Sequence, residues 1–235
     1  MKRLALGLLL ATAGATVANA QASIDFSTRS GGTSISIHLS SYPRLVAVPG
    51  YPVYYAPQAR ANYFFYDGIY WVYESDNWYA SDWYNGPWDR VDPYDVPAFL
   101  LRIPVRYYRA PPAYFKGWRA EAAPRWDEHY GRDWNSRRAG WDKWDRRSVA
   151  APAPLPTYQR RYKGERYPQQ TRQRDSIRSG QYGYAPRDPD TMQYLQKRQS
   201  PGQPRDDNRR NDDRRNDQGN DRGNKDKDVR GKDRH

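Results

Sequence analysis

The 235-residue sequence contains no cysteine. That excludes a disulfide framework, a thiolate metal site, a cysteine nucleophile and a lipid-bearing cysteine, and it leaves stability to packing alone. Histidine occurs only as His38, His129 and His235, without any zinc-ligating spacing, and there is no EF-hand loop, so no metal or other cofactor is expected. The G-x-S-x-G, Walker and G-x-G-x-x-G patterns are also absent. Their absence removes the common routes to hydrolase and nucleotide-binding function, and the chain reads as a protein that is not an enzyme. Beyond residue 20 no run approaches the ~20 apolar residues of a membrane-spanning helix, so no transmembrane span is expected in the mature chain.

The N-terminus has the three parts of a secretory signal in their required order. Lys2 and Arg3 supply charge, Leu4 to Ala11 an apolar run too short to cross a bilayer, and Ala18-Asn19-Ala20 a small-residue cleavage site. Residues 1–20 are therefore expected to be a signal peptide, with Gln21 the first mature residue and the periplasm, outer envelope or extracellular space the destination.

Thirty-nine basic against 27 acidic side chains give a formal charge of +12, which favours anionic partners. Outside the cytoplasm these are envelope polyanions such as lipopolysaccharide, peptidoglycan or anionic lipid, with an envelope protein the other candidate partner; nucleic acid is disfavoured. Residues 42–149 are nearly neutral, whereas residues 155–200 carry ten bases against four acids. Arg160, Arg161, Lys163 and Arg166 lead this basic stretch and are the candidate polyanion-binding residues.

The remaining organisation follows from where the aromatics lie. All nine tryptophans fall between Trp71 and Trp144, so a core is expected there and not after about Ser148, where Pro152, Pro154 and Pro156 interrupt the chain and polar residues take over. Ile35, Ile37 and Leu39 alternate with polar residues as a half-buried strand does, and could add a fourth strand to a meander. The prolines at 43, 49, 52 and 57 suit an edge or wrapping segment. Asp67-Gly68 between Tyr63-Phe64-Phe65-Tyr66 and Ile69-Tyr70-Trp71-Val72-Tyr73 predicts a two-residue hairpin, and Trp78 to Tyr84 a third strand. From Pro124 to Arg147, the spacing of Trp126, Tyr130, Trp134, Trp141 and Trp144 places them on one face of a helix, expected to pack on the meander. The predicted fold is a small α+β domain: an aromatic antiparallel β-meander with a C-terminal amphipathic helix, followed by a long disordered tail. The predicted boundaries are a signal peptide at 1–20, an N-terminal strand and Pro/Tyr-rich extended segment at 21–61, meander and helix at 62–147, and a basic to polyampholyte tail at 148–235.

Two further functions compete for the aromatic window. Trp78, Trp83 and Trp88 are candidates for stacking on sugar rings, which would make the chain a carbohydrate- or peptidoglycan-binding module; packing into a core is the simpler use of such rings. Asp67, Glu74, Asp76 and Asp82 among aromatics also fit a glycoside hydrolase, although each lies at a predicted turn or strand edge, where turn chemistry already accounts for it.

The residues Val48-Pro49-Gly50-Tyr51-Pro52-Val53-Tyr54-Tyr55-Ala56-Pro57, the aromatic hairpin from Tyr63 to Trp71, Trp83-Tyr84-Asn85-Gly86-Pro87-Trp88 and Val105-Arg106-Tyr107-Tyr108 resemble a group of exported proteins of Gram-negative bacteria. The resemblance covers Tyr42 to Trp144 and implies a periplasmic or outer-envelope location. It brings no assigned activity and no catalytic residue.

Overall fold

The computed structural model describes residues 22–29, 32–39, 41–162, 166, 168, 170–179 and 184–199. The expected signal peptide and residues 200–235 lie outside them.

A first hairpin pairs β1 (Ala22–Arg29) with β2 (Gly32–Leu39) as a separate two-stranded sheet. The main sheet is antiparallel and runs in chain order through β3 (Val46–Ala47), β4 (Val53–Tyr55), β5 (Asn62–Tyr66), β6 (Ile69–Glu74), β7 (Asn77–Ser81) and β8 (Asp89–Val91). The Asp-Gly hairpin forms at its predicted place, with Tyr66 opposite Ile69 and left-handed φ values of 47° at Asp67 and 85° at Gly68. The β6–β7 turn repeats this geometry, with φ of 44° at Ser75 and 64° at Asp76. These are the backbone conformations that match a two-residue turn to the twist of its strands.

Every residue of β5 is buried, and so is every residue of β6 except Glu74. This is possible because both faces of the sheet are covered. Phe64, Trp71, Tyr73 and Trp78 face one apolar cluster, capped by Leu100, Leu101, Phe115, Trp126 and Trp134. Tyr63, Phe65, Tyr70, Val72 and Tyr79 face the other, capped by Ile35, Ile37, Leu39, Trp83 and Trp88. Alternation thus sends neighbouring aromatics into opposite cores. It also explains why β2 does not join the meander as a fourth strand: its apolar residues are needed as a lid over a sheet face that is itself aromatic. The Leu39 N–H donates to Asn85 Oδ1 at 3.0 Å, tying this lid to the loop after β7.

After β8 comes the single turn α1 (Ala98–Leu101), and the predicted long helix appears as two short ones, α2 (Trp126–Tyr130) and α3 (Arg132–Arg137). Gly131 separates them with φ 85° and ψ −175°, a conformation only glycine adopts readily. The tryptophan stripe nevertheless packs on the sheet as expected. Trp126 and Trp134 are buried and donate their indole N–H groups to Leu101 O (2.9 Å) and Pro93 O (3.1 Å), while Trp144 lies half-buried against Tyr51 and Phe99.

Composition predicts a tail from residue 148. Among the described residues beyond it are α4 (Thr157–Arg161), α5 (Thr171–Ser179) and α6 (Pro189–Gln199). Tyr158 is buried on one face of the sheet, where its hydroxyl meets that of Tyr70 at 2.5 Å, and Tyr194 is buried on the other, 5.5 Å from the Trp71 ring.

Candidate functional site

The three candidate stacking tryptophans do not form a row. Trp78 is fully buried between Tyr73 and Trp126, in the cluster on one face of the sheet. Trp83 and Trp88 are buried in the cluster on the opposite face, Trp83 against Tyr158 and Trp88 edge-on to Tyr63. The rings thus serve two separate cores and present no common surface to a sugar.

The four candidate acids divide between the two ends of β6. Asp67 and Asp82 lie toward one end of the strand and Glu74 and Asp76 toward the other, since Ser81 pairs with Tyr70 and Asn77 with Glu74. At ~3.3 Å per residue the two ends are ~20 Å apart, well beyond the ~5–9.5 Å between the carboxyls of a glycosidase pair.

At the far end, Asp76 collects three side chains on one oxygen. Its Oδ1 accepts from Tyr73 OH (2.7 Å) and Tyr114 OH (3.0 Å) and meets His129 Nε2 at 2.6 Å, while the His129 ring lies flat on Tyr114 with centroids 4.2 Å apart. The Tyr73 and Tyr114 hydroxyls also touch. Burial first, then the neighbouring phenol Tyr130 and the contacts with Tyr114 and Asp76, push Tyr73 far above its ordinary 10, so it remains a neutral donor. Burial acts to raise the Asp76 carboxyl, but the hydrogen bond from Tyr73, together with His129 and Tyr114, outweighs it and holds the group below the ordinary value. Donors converging on one carboxylate make a clip between the β6–β7 turn, the 3-10 turn Ala113–Phe115 that carries Tyr114, and helix α2.

At the near end, the buried Asp67 carboxylate receives chain from more than a hundred residues away. Its Oδ1 accepts from Tyr184 OH (2.8 Å) and the Arg187 N–H (3.1 Å), and its Oδ2 from the N–H groups of Arg187 and Asp188 (2.8 Å each). Tyr66 OH donates to Asp188 Oδ2 at 2.9 Å. Arg138 donates to Tyr94 O, Val96 O and Asp190 Oδ2, and Lys197 pairs with Asp95 at 2.6 Å. Burial, then the hydrogen bond and negative charge of Asp67, push the Tyr184 phenol up to about 12. Burial also pushes the Asp188 carboxyl above its ordinary value, against the pull of hydrogen bonds from Thr191 and Tyr66. The sequence reading offers Asp67 a turn role, with a glycosidase acid as the distant alternative, and no part in holding a remote segment. A signal was present in Tyr184, Tyr194 and Leu195, apolar residues standing in an otherwise polar stretch.

Of the candidate polyanion-binding residues, Arg161 and Arg166 are exposed; Lys163 and the Arg160 side chain lie outside what the structure describes. No group of three or more His, Asp or Glu side chains among the described residues is arranged to hold a metal ion, and no helix among them is long and apolar enough to cross a membrane. Compared with known proteins, the chain matches no family model, no curated protein and no solved structure.

Proposed function

We propose that this chain is an exported, non-enzymatic envelope protein that binds an acidic envelope polymer, lipopolysaccharide foremost, through the basic surface of residues 155–200. One observation carries the reading. Two of the four acids in that stretch are turned inward, Asp188 onto Tyr66 and Asp190 onto Arg138, while Arg161, Arg166 and Arg172 are exposed. The charge offered to solvent is therefore more positive than the composition alone suggests. The aromatic rings that would serve the alternative, sugar stacking, are committed to two cores. The signal-like N-terminus and the resemblance to exported bacterial proteins support the location.

Binding of the mature chain to purified lipopolysaccharide tests this. Affinity is expected to fall steeply with added salt, because exposed charges are screened beyond ~8 Å at physiological ionic strength. It should also drop about tenfold when Arg161, Arg166 and Arg172 are all replaced by Gln, with the melting temperature unchanged. Affinity that ignores both salt and these substitutions contradicts the proposal.

A further inference from the structure

We infer that the Asp67 turn and the sheet face beside it form a peptide-recognition groove, occupied by the chain's own residues 184–197, and that the same segment of a second copy is its occupant in trans.

The contacts are those of a bound peptide. Within this strap, residues 184–197, Arg187 and Asp188 are held through their main-chain N–H groups by one buried carboxylate, the Tyr184 hydroxyl bonds the same carboxylate, the Tyr194 ring seats on Trp71, and two ion pairs add to the hold, Arg138 to Asp190 and Lys197 to Asp95. Charge is complementary across the groove: its acids meet donors and a lysine of the strap, and its arginine meets an acid of the strap. All the groove residues in these contacts come from positions 66–138. The groove is thus complete whichever copy supplies the strap.

The route of the chain permits exchange. Tyr158 of α4, Ile177 of α5 and Tyr184 pack on the sheet face opposite Tyr194, and the strap follows α4 through residues 163–183, so exchange has to release Ile177 as well as the strap. Nine of those form α5, ~13 Å long, so the connection reaches at most ~55 Å, against a diameter of ~40 Å for a domain of this size. No disulfide pins the strap, since the chain has no cysteine. Exchange repeats identical contacts in a neighbour and requires no new interface, the usual reason that swapping is accessible. Linkage to its own domain gives the strap an effective concentration in the millimolar range, so the closed monomer dominates in dilute solution and exchange grows with concentration.

The cysteine-free full chain suits a labelling test. One batch carries a donor dye at Met192→Cys, an exposed strap position, and another an acceptor at Asp92→Cys, an exposed position beside the groove. The batches are mixed from micromolar to ~1 mM and read for energy transfer between copies. Transfer that rises with concentration, and falls at least tenfold when Asp67→Asn is added to the acceptor batch or Tyr194→Ala to the donor batch, is the expected result. Absence of transfer up to ~1 mM overturns the inference and leaves the strap a purely internal element. Transfer that persists in both variants overturns it as well, because the copies then meet through another surface. The two variants act on opposite partners, so loss of fold in one leaves the other decisive.

Discussion

Strand β6 is bounded by two turns of the same backbone geometry. At one end Asp67, buried and left-handed, binds main-chain N–H groups of residues 187 and 188. At the other, Asp76, also left-handed but exposed, binds the side chains of Tyr73, Tyr114 and His129. A short polar residue that tolerates positive φ is what either turn requires. What separates the two is burial. A charged acceptor shut away from water is strongly destabilised when a donor is lost, whereas an exposed one recovers a water molecule. The Asp67 end should therefore be a strong, all-or-none attachment and the Asp76 end a weak clip.

The largest effect should come from removing what Asp67 holds. Ending the chain at residue 148 strips Tyr158 from one core and Tyr194 from the other, at about 3–5 kcal/mol for each ring, comparable to the whole ~5–15 kcal/mol of a small domain. Such a chain is expected to lack a cooperative thermal transition, while one ending at residue 199 should melt like the full chain. Next, Asp67→Ala should cost ~3 kcal/mol, since charge-assisted hydrogen bonds contribute ~1.5–3 kcal/mol each. Chemical denaturation of the two aspartate variants side by side measures the contrast. Asp76→Ala or His129→Ala should cost only about 1 kcal/mol, and equal losses at the two turns would dissolve the distinction.

The smallest effect is in pH dependence, where the two ends should move in opposite directions. Asp188 at the strap is raised above its ordinary 3.8, so its ionised form burdens the fold, and stability there increases as pH falls through that raised value toward 3.8. Asp76 is lowered, so its contribution is present above 3.8 and lost as pH drops through its folded value. Residue-resolved exchange at pH 6, 5, 4 and 3 should show strap amides tightening before those around His129 loosen.

Much of the sheet is legible in the sequence because its signals are local. Asp67-Gly68 between aromatic runs specifies the hairpin, and alternation already assigns Trp71 and Tyr73 to one face and Tyr70 and Val72 to the other. Strand β8 is only three residues with polar Asp89 and Arg90, too short for a period to register. The break at Gly131 is hidden because the tryptophan spacing on either side remains helical. The stacking candidates mislead for another reason: Trp78 lies within β7 and packs on one face, whereas Trp83 and Trp88 follow the strand in a bend and loop that carry them to the opposite face, and the spacing of the three rings does not show where the strand ends. The strap is the least legible element. Its partners lie more than a hundred residues away, its composition is that of a solvated tail, and the turn role of Asp67 is satisfied locally without it.

Amide hydrogen exchange at Arg187 and Asp188 tests the attachment of the strap most directly. In the native chain these two N–H groups, bonded to the Asp67 carboxylate, should be strongly protected, and in Asp67→Ala they should exchange freely while the β5–β6 amides stay slow. Rapid exchange of both amides in the native chain would contradict the account.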